Sequence, residues 1–178
     1  NNMLAAVKEP IFRPLLYANT AAYTAHNDIP YVMNLTMLQM FGEFGGSGVT
    51  IGLVIAIFIF SKREDNRTIA GISVVPGLFN INEPIIFGIP MVMNAMFAVP
   101  FFLAPVACVC CGYLVQSLGL CPLFVIDVPW TTPVGLFGFL ASSGNIMGAI
   151  WQAVIILGVS TLIYTPFVIA ANRQESAA

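Results

Sequence analysis

Residues 69–172 contain no Lys and no Arg, and Glu83 and Asp127 are the only formal charges in this long stretch. Soluble domains carry about 25% charged residues, whereas the whole chain of 178 residues has 8%, together with 58% hydrophobic residues. Because backbone polar groups inside a bilayer must be satisfied internally, long apolar runs of this kind predict an all-α integral membrane protein with transmembrane helices. The sequence has no basic patch that would suggest a nucleic-acid partner.

The segment 75–90 reads V-P-G-L-F-N-I-N-E-P-I-I-F-G-I-P and places three polar residues among prolines and apolar residues. Proline removes a backbone donor and disfavours helical geometry in the residue before it. We therefore predict two short helical pieces that meet at a broken tip within residues 80–84. Irregular backbone at membrane depth lines a cavity or is buried in protein, and a carboxylate there indicates a functional site. Glu83 is the first candidate.

A second pair of apolar arms, residues 31–41 and 49–60, flanks the glycine-rich sequence G-E-F-G-G-S-G at residues 42–48. A membrane span needs about 20 apolar residues, so neither arm spans alone, and the pair predicts a second hairpin. Glycine lets backbone N–H groups approach a ligand closely. Small residues also allow helices to pack tightly in membranes, and both interpretations stay open.

Residues 91–116 and 146–170 are long enough to span, whereas residues 118–144 contain several prolines and Asp127. The charged sequence S-K-R-E-D-N-R-T at residues 61–68 is predicted to be a solvated loop. The positive-inside rule places this loop and the C-terminus after Arg173 in the cytoplasm. Segment 75–90 then enters and leaves the membrane from the same side as a re-entrant hairpin, unless another half-crossing compensates for it.

The first 30 residues are too polar to span and are predicted to form short helices at residues 4–7 and 11–17, lying at the interface or packed on the body. This beginning lacks the features of a signal sequence, and we expect the chain to be the C-terminal part of a longer transporter. His26 is a lone loop histidine with no metal-binding partner. The four cysteines have no zinc or redox spacing and are assigned to packing.

Trp130 lies in the sequence V-I-D-V-P-W-T-T-P-V, beside hydroxyl groups and a carboxylate. A sugar ring has an apolar C–H face and a polar rim, so this combination fits a sugar platform. Tryptophan is also common at membrane interfaces, and plain packing is a third possibility. The residues alone leave all three open.

Five motifs together point to a known family: F-N-I-N-E-P-I-I-F-G-I-P-M-V-M-N at 79–94, F-G-G-S-G-V-T-I-G-L at 44–53, S-K at 61–62, P-W-T-T-P at 129–133 and Y-T-P-F at 164–167. The chain resembles the membrane component, enzyme IIC, of the bacterial phosphoenolpyruvate-dependent sugar phosphotransferase system, in its lactose/cellobiose/diacetylchitobiose branch. The motifs occur in the family's order, and N-E-P-I-I-F-G is the specific one.

The resemblance implies a homodimeric helical transporter of the bacterial inner membrane, with two re-entrant hairpins. Residues 1–178 would be its C-terminal sugar-binding domain, without the N-terminal dimerisation helices. The substrate would be a disaccharide of the cellobiose, diacetylchitobiose or lactose type. Its 6-hydroxyl would be phosphorylated by a phosphocysteine on the cytosolic enzyme IIB, without a cofactor or metal in this chain.

By the same resemblance, Glu83 would hydrogen-bond the sugar near the 6-hydroxyl and accept its proton. Asn80 and Asn82 would hold either the hairpin tip or the sugar. The other implied sugar-binding residues are Gly45, Gly46, Ser47, Gly48, Trp130 and Thr131. The family's sugar-binding His-Gly pair lies before Asn1, and His26 is not its equivalent. Two alternatives are an ion-coupled secondary transporter that uses Glu83 and an inactive truncated subunit.

Overall fold

The computed structural model describes residues 2–89 and 95–175, and all regular structure in these residues is helical. The α-helices are α1 (Asn2–Thr24), α2 (Leu35–Gly42), α3 (Ile51–Phe60), α4 (Glu64–Leu78), α5 (Glu83–Gly88), α6 (Ala95–Ser117), α7 (Leu136–Ala141), α8 (Ile146–Ala153) and α9 (Ser160–Glu175). A π-helical segment (Val154–Val159) joins α8 to α9, so these three elements form one continuous helix.

The N-terminal region is one helix of 23 residues, and the prediction of two short helices was wrong. Pro10 and Pro14 lie inside α1, four residues apart and therefore on one face of the helix. Leu16 and Asn19 are fully buried, and Asn19 donates a hydrogen bond to the Tyr31 carbonyl at 2.7 Å. The stabilisation from this burial and hydrogen bonding outweighs the free-energy cost of two prolines inside a helix.

The first hairpin consists of α2, a tip at residues 43–50, and α3. Its first helix begins at Leu35, later than predicted, because Asn34 caps it and accepts a hydrogen bond from the Met37 backbone N–H at 3.0 Å. An asparagine at this position satisfies a donor that the first turn of a helix leaves free. The second helix, Ile51–Phe60, is apolar and mostly buried.

The second hairpin consists of α4, a tip at residues 79–82, and α5. The break near residues 80–84 was predicted, but α4 has 15 residues and is not short. It begins at Glu64, so only residues 61–63 of the predicted charged loop are outside a helix. Glu64 and Asp65 occupy the first turn, where negative charge is favourable to the helix dipole.

Two helices in the described part of the chain are long and apolar enough to cross a membrane: Met96–Ser117 with 22 residues and Ile146–Arg173 with 28 residues. They match the two predicted spans, although residues 91–94 of the first lie outside the described residues. The π-helical segment was not predicted. Residues 118–144 form a long connection with α7 as its only helix, as expected from their prolines.

The connection after α6 contains a buried irregular segment whose carbonyls are bonded by side chains. Phe124 accepts from Asn34 at 3.0 Å, and Val125 accepts from Thr20 at 2.5 Å. Buried backbone needs such partners, and here they come from α1 and from the start of the first hairpin. These bonds hold the connection that leads to Trp130.

Two apolar clusters form the interior. The first includes Phe41, Phe124 and Cys108, and the second joins α3, α4, α5, α6 and α9. Cys121 is buried in the first cluster, and burial raises the pKa of its thiol to about 12. This thiol is therefore protonated at neutral pH, which agrees with a packing role. Cys110 is exposed.

Candidate functional site

The tips of the two hairpins meet and are joined by hydrogen bonds from side chains to backbone. The Gly45 backbone N–H donates to Asn80 Oδ1 at 2.6 Å, and Asn82 Nδ2 donates to the Ser47 carbonyl at 2.8 Å. Asn80 has a positive φ of 65°, a conformation that asparagine adopts more readily than most residues. The two asparagines of the second tip therefore satisfy backbone groups of the first.

Gly46 of the first tip packs closely against Asn82 of the second tip. Its φ is +82°, and a Cβ atom at this position would lie 2.2 Å from Asn82 Cγ. Only glycine fits such a contact without displacement of its neighbour. Tight packing therefore explains why position 46 is a glycine. The backbone of Gly46 also lines the cavity described below.

The neighbouring backbone groups of the first tip already have protein partners. Gly45 donates to Asn80 and Ser47 accepts from Asn82. The Gly48 carbonyl accepts a hydrogen bond from the buried Tyr164 hydroxyl at 2.7 Å. These bonds fix the shape of the tip against both the second hairpin and α9.

A cavity of about 610 Å³ lies beside the joined tips, within the range of about 300–1,000 Å³ typical of small-molecule sites. It is bounded by α1, α2, both tips, the start of α5, α7 and the Trp130 loop, which is the part of the connection between α6 and α7 that contains Trp130. The lining residues are Ala5, Lys8, Glu9, Gln39, Glu43, Gly46, Asn80, Ile81, Asn82, Glu83, Trp130 and Phe137.

Three carboxylates line this cavity, and they differ in their partners. Glu43 forms an ion pair with Lys8, and Glu9 forms one with Arg13 at 3.2 Å. Glu83 is exposed in the first turn of α5, and no hydrogen bond or ion pair among residues 5–89 and 96–173 involves its carboxylate. Glu83 is therefore the lining carboxylate that is free to bind a ligand.

Trp130 lies at the rim of the cavity, in the connection between α6 and α7. Its side chain is 58% exposed, which argues against plain core packing. Its carbonyl accepts a hydrogen bond from Asn80 Nδ2, so the second hairpin positions the Trp130 loop. An exposed ring beside Glu83 and two asparagines agrees with the sugar-platform hypothesis.

Comparison with known proteins identifies the family. A family model described as "Phosphotransferase system, EIIC" matches residues 3–105, more than half of the chain. The chain belongs to the EIIC family. This result confirms the family predicted from N-E-P-I-I-F-G and the four accompanying motifs.

Curated EIIC relatives align along nearly the whole chain. The chain is 45% identical to the cellobiose-specific EIIC component of Lactococcus lactis subsp. lactis (strain IL1403) over 199 residues, covering 98% of this chain and 39% of that protein. It is 36% identical to the oligo-beta-mannoside-specific EIIC component of Bacillus subtilis (strain 168) over 177 residues, covering 98% and 40%. The chain thus spans about two fifths of the length of these relatives.

A solved EIIC structure has the same fold. The transporter ChbC, the IIC component from the N,N'-diacetylchitobiose-specific phosphotransferase system, matches with a TM-score of 0.91 and 33% identity, over 98% of this chain and 40% of that one. The match confirms the predicted fold class, an all-α integral membrane protein with transmembrane helices and two re-entrant hairpins.

The structure brings together five of the predicted site residues at the cavity. These residues are Gly46, Asn80, Asn82, Glu83 and Trp130. Gly45, Ser47, Gly48 and Thr131 are not among its lining residues, and their contact with sugar stays a prediction. Gly45 and Ser47 instead hold the two tips together, and Gly48 holds the first tip against α9.

Sequence reasoning missed the wall of the cavity formed by α1 and α2. Ala5, Lys8 and Glu9 follow an i, i+3, i+4 pattern, and Gln39 and Glu43 are four residues apart, so each set shares one helix face. The pattern on α1 could have been recognised only if residues 2–24 had been predicted as one helix, and Pro10 and Pro14 argued against that prediction. The pattern on α2 could have been recognised only if that helix had been extended to Glu43, beyond the predicted end at residue 41.

Proposed function

We propose that this EIIC chain is the C-terminal sugar-binding domain of a longer transporter of the bacterial inner membrane, and that it binds a disaccharide of the cellobiose, diacetylchitobiose or lactose type. The observation that carries this proposal is Glu83, a carboxylate without a partner among the described residues, which shares a cavity with the exposed Trp130. The sugars printed in the names of its relatives support the substrate class.

The chemistry of the cavity suits a neutral disaccharide. Trp130 offers an apolar face for the C–H side of a sugar ring, and Glu83 accepts hydrogen bonds from hydroxyl groups. The Lys8–Glu43 ion pair compensates one lining charge internally, so the site does not require a charged substrate. A partly apolar cavity with a small number of polar groups is typical of sites that bind and orient a small molecule.

In the proposed reaction, the bound sugar presents its 6-hydroxyl to a phosphocysteine of enzyme IIB. The hydroxyl oxygen forms a bond to phosphorus, the phosphorus–sulfur bond breaks, and the cysteine of IIB leaves as a thiolate. Glu83 accepts the hydroxyl proton as general base. Dimerisation through the N-terminal part of the longer protein belongs to the same proposal.

The direct test is calorimetric titration of the full-length transporter with cellobiose, diacetylchitobiose and lactose. We expect saturable binding of at least one of these sugars, followed by phosphorylation when phosphorylated IIB is added. Absence of binding for all three sugars by a folded protein would contradict the proposed substrate class.

Replacing Trp130 by Ala in the full-length transporter should weaken disaccharide binding, because the platform for the apolar sugar face is removed. Trp130→Phe should retain much of the affinity, since it keeps an aromatic face. Unchanged affinity in the alanine variant, measured by the same titration, would contradict the sugar-platform hypothesis and favour a role for Trp130 at the membrane interface.

The topology is tested by thiol labelling in intact cells. We expect Asn66→Cys and Gln174→Cys, each in a cysteine-free background, to be labelled only after the membrane is permeabilised, because both flank the basic residues Arg67 and Arg173. Labelling of either position by an impermeant reagent from outside would overturn the cytoplasmic assignment of residues 61–68 and of the C-terminus.

A further inference from the structure

The carboxamide of Gln39 is a polar group that has no partner among the described residues. Its Oε1 atom is buried without a hydrogen bond, and no hydrogen bond between described residues involves its Nε2 atom. Gln39 lies within α2, four residues before Glu43, and lines the cavity beside the joined tips. An unsatisfied buried polar atom of this kind either destabilises the protein or forms a hydrogen bond with a ligand that enters the cavity.

Unpartnered buried polar atoms are uncommon in folded proteins, since roughly 90% or more of such groups are satisfied. In the described part of this chain there are five buried side-chain atoms of this kind, on Gln39, Gln116, Trp151, Gln152 and Thr161. Of these residues, Gln39 is the one that lines the cavity with Glu83 and Trp130. Its lack of a partner therefore coincides with the candidate site.

The surroundings of Gln39 leave it available to a neutral ligand. Lys8 and Glu43 line the same cavity and are paired with each other. A carboxamide carries both a donor and an acceptor, which matches the hydroxyl groups of a sugar and equally the N–H and C=O of an acetamido substituent.

We propose that Gln39 is a sugar-binding residue, and that its carboxamide hydrogen-bonds a hydroxyl or acetamido group of the disaccharide and thereby contributes to sugar selectivity. This inference rests on the proposed function, because it assigns a further residue to the same site. A site built to hydrogen-bond a substrate group discriminates strongly against an analogue that lacks that group.

The test uses Gln39→Met in the full-length transporter, because methionine keeps the length and unbranched shape of the side chain without the carboxamide. Disaccharide affinity should fall about tenfold, the effect of losing a neutral hydrogen bond at the upper end of its range. The melting temperature without sugar should stay the same or rise, since an unpartnered polar group is replaced by an apolar one. Gln39→Leu should behave in the same way.

Gln116→Met is the control for disaccharide affinity. Gln116 also has a buried Oε1 without a partner among the described residues, although its Nε2 donates to the Pro122 carbonyl at 2.9 Å. It lies near the end of α6 and does not line the cavity. Its replacement should leave disaccharide affinity unchanged.

Cellobiose analogues that each lack one hydroxyl, together with diacetylchitobiose, identify the group that Gln39 contacts. The ratio of wild-type to Gln39→Met affinity should approach one for the analogue lacking that hydroxyl. A ratio that is large only for diacetylchitobiose assigns the contact to the acetamido group.

Wild-type affinity in both Gln39 variants, or an equal ratio for every ligand, would overturn the inference and leave the proposed function intact. Failure of the wild-type transporter to bind any of these sugars would instead contradict the proposed function itself.

Discussion

Replacing Glu83 by Gln in the full-length transporter should lower disaccharide affinity by roughly ten- to a hundredfold. A hydrogen bond to a charged group contributes roughly 1.5–3 kcal/mol, and each 1.4 kcal/mol corresponds to about a tenfold change in affinity. The fold should remain intact, because no ion pair or hydrogen bond among the described residues depends on this carboxylate. Glutamine keeps the size of the side chain and removes the charge.

The measurement combines sugar titration with phosphorylation by IIB at saturating sugar. If Glu83 also accepts the hydroxyl proton, phosphorylation should fall further than binding, because glutamine cannot act as a base. Glu64→Gln is a suitable control, since Glu64 is an exposed carboxylate in the first turn of α4 and does not line the cavity. Normal binding and phosphorylation by Glu83→Gln would remove Glu83 from the site.

Gly46→Ala should destabilise the protein by roughly 2–5 kcal/mol and weaken sugar binding. A left-handed conformation costs an L-residue about 1–2 kcal/mol, and overpacking adds roughly 1–3 kcal/mol. Both apply here, because Gly46 has a φ of +82° and a new Cβ would lie 2.2 Å from Asn82 Cγ. The two tips would have to separate, and the cavity lining would move with them.

Gly119→Ala is the control that measures the cost of the left-handed backbone conformation without a steric clash. Gly119 has a similar φ of +72°, but a Cβ there would meet no atom within 4 Å. This variant should therefore lose only the conformational part, about 1–2 kcal/mol, with unchanged sugar affinity. Thermal unfolding of both variants provides the comparison, and equal destabilisation would contradict the close contact between the tips.

Prediction from sequence succeeds best where the local rules leave few alternatives. Pro84 and the polar residues around it interrupt a membrane helix, so the tip at residues 79–82 follows from the order of residues in this one segment. The two spans follow from length and hydropathy alone. In both cases the information is contained within a short stretch of the chain.

Prediction from sequence fails where the structure is determined by packing between segments that are distant in the sequence. The prolines of α1 disfavour a long helix by local rules, yet burial of Leu16 and the bonds of Asn19 stabilise one. The cavity wall with Lys8 and Gln39 could not be assigned without that helix. The contact of Gly46 with Asn82 depends on how two hairpins meet, which no single segment specifies.

The four hydrogen bonds around the tips have a consequence for how a transporter of this kind can move. They join Gly45 and Ser47 of the first tip to the second, the second tip to Trp130, and Gly48 to Tyr164 of α9. Pulling the tips apart would break two of these bonds at once, and polar groups that lose their partners away from water are costly. If the longer protein exposes a sugar to alternate sides of the membrane, as the proposed function requires, both tips and α9 should therefore move together as a rigid body.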